Sequence, residues 1–150
     1  MTTSTPPVMR TVSVACSLEH AFTVFTEQIG RWWPLQTHTV FEESAAGVAF
    51  VDGHLVERAT DGRTDVWGEV ITWDPPDQVA FTWHPGRPDG PLTEVQVTFT
   101  ADGNRTRVDL EHRGWESFGE RATDQRSGYA STDGWTMVLD SFRTSVAATS

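Results

Sequence analysis

A titratable side chain ends an apolar row in the C-terminal half of the chain. Val108, Leu110 and His112 alternate with polar residues after an Asp-Gly-Asn turn at 102–104. Because successive side chains of a strand point to opposite faces, these three should share the face that looks toward the core. An imidazole titrates near neutral pH and can serve as acid, base or polar anchor. We therefore carry two interpretations of His112: a hydrogen-bonded structural residue, or the acid/base group of a pocket.

Other chemical motifs give little support for demanding catalysis. The remaining histidines have no metal-ligand spacing, so we expect no metal site and no cofactor. Glycines are scattered in turns, and no Gly-x-Ser-x-Gly elbow is present. The single Cys16 is interpreted as a small buried hydrophobe. If His112 moves protons, a carboxylate such as Glu69 is its predicted partner, whereas parity directs His84 to solvent or to the sheet mouth.

Aromatic residues are the strongest compositional signal. The sequence has seven tryptophans but one tyrosine. Tryptophan combines a large apolar surface with one N–H donor, so these side chains either fill a core or wall a pocket for an apolar ligand. Four of them lie near the ends of elements, where a pocket mouth would open. The predicted ligand-binding residues are Phe22, Phe25, Trp33, Trp67, Trp83, Val97, Phe99, Leu110, His112, Trp115, Trp135 and Leu139.

The N-terminal part should form one strand and two short helices. Alternation predicts a strand over 8–15, and Ser17 is a good N-cap for a helix with Phe22 and Phe25 on its apolar face. A second short helix is expected over 28–33, because Pro34 disfavours its continuation.

The rest of the chain should form six strands and one long helix. Turn signals such as Asp-Gly at 52–53 separate the strands into an antiparallel meander. A helix over 132–147 carries an apolar face at helical spacing, and it alone is long enough to cover the sheet. The connection over 114–130 is either a lid or an ordinary surface loop or short helix. The strands are predicted at 46–51, 54–59, 66–73, 78–84, 93–99 and 106–112.

Charge and length limit the class of partner. The 150 residues carry a net charge of −10, which repels phosphate backbones and anionic lipid, so we expect neither nucleic-acid binding nor membrane insertion. No signal peptide and no apolar stretch of roughly 20 residues is present, which predicts a cytoplasmic protein. We expect a flexible tail over 1–7 and a single domain over 8–150, as a monomer or homodimer.

Several segments together resemble a known superfamily. The chain is similar to the SRPBCC (START-like) superfamily, and within it to the family related to the C-terminal domain of the activator of Hsp90 ATPase. The resemblance implies an α+β helix-grip fold, in which a curved antiparallel sheet wraps a long C-terminal helix, with two short helices after the first strand. The segments that carry it are 17–22, the Trp-Trp-Pro at 32–34, 67–83, 106–115 and 134–140.

Three hypotheses about function follow. The first is a protein that binds an apolar, aromatic or lipid-like small molecule between sheet and helix. The second is a cyclase or dehydratase type of enzyme, with His112 as acid or base and Glu69 as its partner. The third, implied by the resemblance alone, is an interaction module that stimulates a chaperone ATPase, although the sequence has no counterpart of the larger N-terminal chaperone-binding domain of the eukaryotic co-chaperone.

Overall fold

Seven strands of the described part of the chain join one antiparallel sheet. The computed structural model describes residues 5–35, 37–86 and 90–149, and the sheet order is β1-β7-β6-β5-β4-β3-β2. The predicted meander is therefore confirmed, and the first strand pairs with the last. The strands are β1 (Val8–Val14), β2 (Ala45–Val51), β3 (His54–Ala59), β4 (Thr64–Asp74), β5 (Gln78–Trp83), β6 (Thr93–Asp102) and β7 (Arg105–Arg113).

The alternating strands bury the face that their sequence predicts. In β6 and β7 every second residue is buried, from Thr93 to Phe99 and from Thr106 to His112. Val95 pairs with His112, and the next buried pair along the ladder is Val97 with Leu110. This register lines up two apolar rows on the concave face, with His112 at the end of one row.

Two helices follow β1. In α1 (Leu18–Thr26) the Ser17 side chain accepts a hydrogen bond from the His20 amide, as an N-cap should. Helix α2 (Ile29–Trp32) is shorter than the predicted 28–33, because Trp33 already has the extended backbone that a residue before proline prefers. The α1 face carries its phenylalanines into the core, so the helix is fixed against the sheet.

A segment with helical turns joins β7 to the last helix. It contains a 3₁₀ stretch (Trp115–Arg121) and α3 (Ala122–Ala130), with Trp115 and Phe118 buried beneath it. Arg126 of α3 donates to the carbonyls of Pro6 and Pro7 at 2.7 and 3.1 Å, so these residues of the predicted tail are held. Residues 1–4 of that tail lie outside the described residues.

The last helix is gripped by the sheet. Helix α4 (Trp135–Thr149) contacts β1, α1, α2 and α3. It begins three residues later than predicted, after a turn closed by the Gly134 amide donating to the Ser131 carbonyl. Its buried face carries residues with helical spacing, which confirms the helix-grip architecture. None of the helices in the described ranges is both long and apolar enough to cross a membrane. The buried face is formed by Trp135, Val138, Leu139, Phe142 and Val146.

Candidate ligand-binding site

A cavity of about 310 Å³ opens at one end of the grip, between β4, β5 and the start of α4. Four of the predicted ligand-binding tryptophans form its inner walls. Its rim is formed by residues after α2 that belong to no helix or strand, by Pro85, and by Tyr129 at the end of α3. The lining residues are Trp33, Thr37, His38, Thr39, Val40, Trp67, Trp83, Pro85, Tyr129, Gly134, Trp135 and Val138.

The inner walls are a connected set of indole rings. Trp33 lies 5.1 Å from Trp67 and 6.0 Å from Trp83, measured between ring centroids. Trp83 in turn lies 5.2 Å from Trp135, so a ring of the sheet contacts a ring of the helix. Aromatic pairs at these distances attract each other beyond their buried area, which stiffens the walls. The cavity thus offers flat apolar faces on rigid supports.

Each of the four indole N–H groups already has an acceptor. Because the donors are used within the protein, the walls present carbon surface to the cavity rather than polar edges. In chain order from Trp33 to Trp135, the acceptors are the His38 carbonyl at 2.7 Å, Glu57 Oε1 at 3.1 Å, the Tyr129 hydroxyl at 3.0 Å and His112 Nδ1 at 2.9 Å.

The rim segment, residues 37–40, is fastened from below by a buried carboxylate. Glu57 is fully buried on β3, and it accepts hydrogen bonds from the amides of Val40 at 2.7 Å and Phe41 at 2.9 Å. The same carboxylate accepts the Trp67 N–H. Hydrogen bonds to a charged group are stronger than neutral ones, so Glu57 couples the rim to the wall.

One imidazole lies on the rim. His38 Nε2 is 2.6 Å from the Asp133 carbonyl, which can only accept, so this nitrogen carries the proton. In the neutral ring, His38 Nδ1 is then the acceptor for the Thr37 hydroxyl, also at 2.6 Å. A half-buried imidazole with an unprotonated nitrogen on a cavity rim can accept a proton from a ligand that displaces the threonine hydroxyl.

His112 supports the walls from behind. It is fully buried, and both ring nitrogens are used: Nδ1 accepts from Trp135, and Nε2 donates to Thr93 Oγ1 at 2.7 Å. The Thr93 hydroxyl in turn donates a hydrogen bond to the Trp83 carbonyl at 3.2 Å. The Trp115 ring lies 4.2 Å from the imidazole. His112 therefore connects the helix wall to the sheet wall, and it is not among the residues that line the cavity.

Glu69 lies elsewhere in the fold. Its carboxylate accepts hydrogen bonds from His84 Nε2 and Thr82 Oγ1, both at 2.8 Å, and these two bonds hold the pKa of Glu69 below its usual range. Of the two placements expected for His84, solvent is wrong, since His84 is only 5% exposed; the sheet mouth stays a prediction. The His84 amide donates to the Trp67 carbonyl at 2.6 Å, which holds this residue against β4 just after β5 ends. Glu69 is thus paired with His84 in the structure.

The remaining predicted ligand-binding residues lie outside the cavity lining. Phe22 and Phe25 pack on Phe99 at 5.3 and 5.7 Å between ring centroids, deeper between α1 and β6. Leu139 borders a separate shallow groove between β1 and α4. The tryptophan walls belong to the same buried cluster as these residues, and the cavity opens along its edge. The residues placed in the packed core are Phe22, Phe25, Val97, Phe99, Leu110 and Trp115.

Sequence reasoning missed the rim. Thr37, His38, Thr39 and Val40 belong to no helix or strand, so no periodicity marks them. Pro85 was predicted to begin a loop, and Gly134 to open the last helix, so neither was predicted to line a cavity. The one feature of the sequence that could have indicated the rim is that this segment follows closely after Trp32-Trp33-Pro34. Among the described residues, no group of three or more histidine, cysteine, aspartate or glutamate side chains could hold a metal ion.

Solved structures similar to this chain include a synthase and a resistance protein. The chain is 33% identical to Txn09, described as an anthrahydroquino-gamma-pyrone synthase complexed with SUM, with a TM-score of 0.61 over 96% of this chain and 99% of that one. It is 25% identical to CalC, a self-sacrificing resistance protein from Micromonospora echinospora, with a TM-score of 0.63 over 96% of both chains.

A more distant neighbour shows the fold alone. Protein MLL2253 from Mesorhizobium loti is 17% identical, with a TM-score of 0.68 over 96% of this chain and 98% of that one. No curated protein matches the chain with significant similarity. The family model described as "Activator of Hsp90 ATPase homolog 1-like protein" matches residues 15–147. With the helix-grip fold and the matched range, the chain belongs to this family within the SRPBCC superfamily.

Proposed function

We propose that the protein binds a flat, largely apolar aromatic small molecule in the tryptophan-walled cavity. The observation that carries the proposal is the cavity itself: about 310 Å³, walled by four indole rings whose N–H groups are all used internally. This volume lies at the lower end of the range for small-molecule sites, which suits a molecule of about three fused rings.

The chemistry of the lining favours stacking over ionic recognition. The described lining contains no lysine, arginine or carboxylate side chain. The net charge of −10 also disfavours anionic ligands. The likeness to Txn09, described as complexed with SUM, supports the binding of a small molecule by this fold.

A titration with 9-fluorenone tests the proposal. This uncharged three-ring ketone should quench tryptophan emission with a saturable, one-site curve. Val138→Phe places a ring inside the cavity and should abolish saturable quenching, because Val138 is buried in the lining. The matched control is Met137→Phe, which adds a ring on the next residue of α4, where the side chain is 41% exposed.

A loss of binding caused by unfolding must be distinguished from one caused by filling the cavity. If Val138→Phe unfolds the protein, Val40→Trp fills the rim from an exposed position (39% exposed) with little effect on the core. Equal binding by the wild type, the filled variants and the control would show that fluorenone binds elsewhere, and the proposal would fail.

A second candidate, ring closure, is favoured by the 33% identity to a protein described as a pyrone synthase. Closing a γ-pyrone from a phenol and a neighbouring 1,3-dicarbonyl chain forms one carbon–oxygen bond. It then releases one α-carbon proton and one hydroxyl as water, with no oxidant or reductant. His38 Nδ1 is the acceptor on the rim that would take the phenol proton and return a proton to the departing hydroxyl.

A simple 2-hydroxyaryl 1,3-diketone, 1-(2-hydroxyphenyl)butane-1,3-dione, tests this activity. Its closure gives 2-methylchromone, which is followed by absorbance and by chromatography. His38→Gln should lower the enzymatic rate by about 10²-fold or more while fluorenone still binds. A wild-type rate equal to that of buffer would count against the enzyme and leave the binding proposal standing.

A further inference from the structure

One polar side-chain group in the cavity is left with a free donor. The Tyr129 hydroxyl accepts the Trp83 N–H at 3.0 Å, and among the described residues its own proton has no acceptor. The other side-chain donors of the described lining are used: the indoles as above, Thr37 on His38, His38 on the Asp133 carbonyl, and Thr39 on the Leu35 carbonyl. Tyr129 thus differs from every other polar side chain of the lining.

We propose that the Tyr129 hydroxyl donates a hydrogen bond to a carbonyl oxygen of the bound ligand, so that the cavity selects aromatic ketones, quinones or pyrones over plain aromatic hydrocarbons. This inference rests on the proposed binding function. A hydroxyl that already accepts one hydrogen bond is polarised toward donating another. An aromatic ligand with an acceptor oxygen would accept a hydrogen bond from the hydroxyl that already accepts one from Trp83.

The tyrosine is held in one orientation. Its ring lies 4.9 Å from His112, 5.3 Å from Trp115 and 6.2 Å from Trp135, measured between centroids. The interplanar angle to Trp135 is 28°, so the two rings lie nearly parallel. A donor fixed by ring contacts loses little rotational freedom when a ligand binds, which favours its use in recognition.

Its place in the cavity separates the polar and apolar parts of a ligand. Tyr129 is half-buried, and it borders both the tryptophan cavity and a shallow surface groove shared with His38 and Gly134. A ligand whose rings lie against the tryptophan walls would therefore carry its oxygen toward the mouth, where the cost of removing the carbonyl from water is smallest.

The test compares two ligands that differ by one oxygen. The ketone 9-fluorenone and the hydrocarbon fluorene have the same three-ring outline, and their affinities are measured by tryptophan quenching for the wild type and Tyr129→Phe. The variant removes only the hydroxyl. We expect it to lose about tenfold in fluorenone affinity and to keep fluorene affinity within about twofold. Fluorene also reports whether the cavity survives the loss of the Trp83 acceptor.

A second measurement needs no variant. The infrared carbonyl stretch of fluorenone bound to the wild type should lie at lower frequency than in an apolar solvent, as hydrogen bonding requires. An unshifted stretch, or an equal loss of affinity for both ligands in Tyr129→Phe, would overturn the role of the tyrosine. Binding of neither ligand by the wild type would instead refute the cavity function, and the inference with it.

Discussion

Replacing His112 by alanine removes two buried hydrogen bonds in one step. The Trp135 N–H loses the acceptor Nδ1, and Thr93 loses the donor Nε2. The imidazole is fully buried against Trp115, so the change also leaves a space in close-packed surroundings. We expect a large loss of stability and a weaker grip on any ligand, because both walls of the cavity are positioned through this residue.

The magnitude follows from these contacts. A large-to-small substitution in a core costs about 2–5 kcal/mol, and an unpaired buried donor such as the Trp135 N–H costs about 1–3 kcal/mol. These costs overlap, so we expect about 4 kcal/mol for His112→Ala. For a domain of this size that lowers Tm by roughly 8–16 °C. The loss is a large part of a typical stability of about 5–15 kcal/mol.

Two conservative variants separate the hydrogen bonds. In His112→Asn the side-chain oxygen lies near the position of Nδ1 and can still accept from Trp135. In His112→Gln the amide nitrogen lies near the position of Nε2 and can still donate to Thr93. Each should recover part of the loss, and asparagine should preserve the Trp135 environment better.

Urea unfolding followed by tryptophan emission measures these differences, with fluorenone titration of each folded variant. His54→Ala is the matched control, since His54 is half-buried at the start of β3, outside the cavity lining; we expect it to change stability by about 0.5 kcal/mol or less. The reasoning would be refuted if His112→Ala kept wild-type stability yet lost ligand binding or turnover. That result would make His112 a group that touches the ligand.

Three further predictions follow. Glu57→Gln should speed hydrogen exchange at the Phe41 amide and cost about 1–3 kcal/mol in urea unfolding, because the remaining oxygen keeps the two donors at Oε1 and the acceptor Oε2 is lost; unchanged exchange would contradict it. The lowered pKa of Glu69 means that its contacts stabilise the fold above the ordinary glutamate pKa of about 4.3 and are lost as pH falls through the lower folded value. Thermal unfolding of Glu69→Gln should therefore vary less with pH in that acid range than that of the wild type. Gly134→Ala would put a Cβ 2.2 Å from the Tyr129 carbonyl and should weaken both stability and fluorenone binding, whereas Gly128→Ala meets nothing within 4 Å and should be neutral.

The order of strands and helices was predictable because apolar residues recur at every second position in a strand and about every 3.6 positions in a helix. The alternation in β6 and β7 fixed which residues are buried, including His112 and its row. The apolar spacing of α4 likewise identified the face that the sheet grips. These are short-range patterns, and they determine local structure before any tertiary contact is known.

The rim and the polar pairs could not be predicted in the same way. His38 reaches Asp133 across 95 positions of sequence, and Glu57 reaches Val40 across 17. Glu69 pairs with His84 because β4 and β5 are neighbours whose register shifts at a bulge. Such contacts depend on how irregular segments and neighbouring strands lie in space, which no single-strand pattern encodes.

The indole walls have an optical consequence. Trp32, Trp33, Trp67, Trp83 and Trp135 form a chain of rings whose neighbouring centroids lie 5.1–6.0 Å apart. At such separations an excited indole passes its energy to the next before it emits, so polarised excitation is rapidly scrambled among them. A single absorbing molecule in contact with one of these rings would therefore quench the emission of the others as well. The emission lost on binding should therefore exceed the share of tryptophans that the ligand touches.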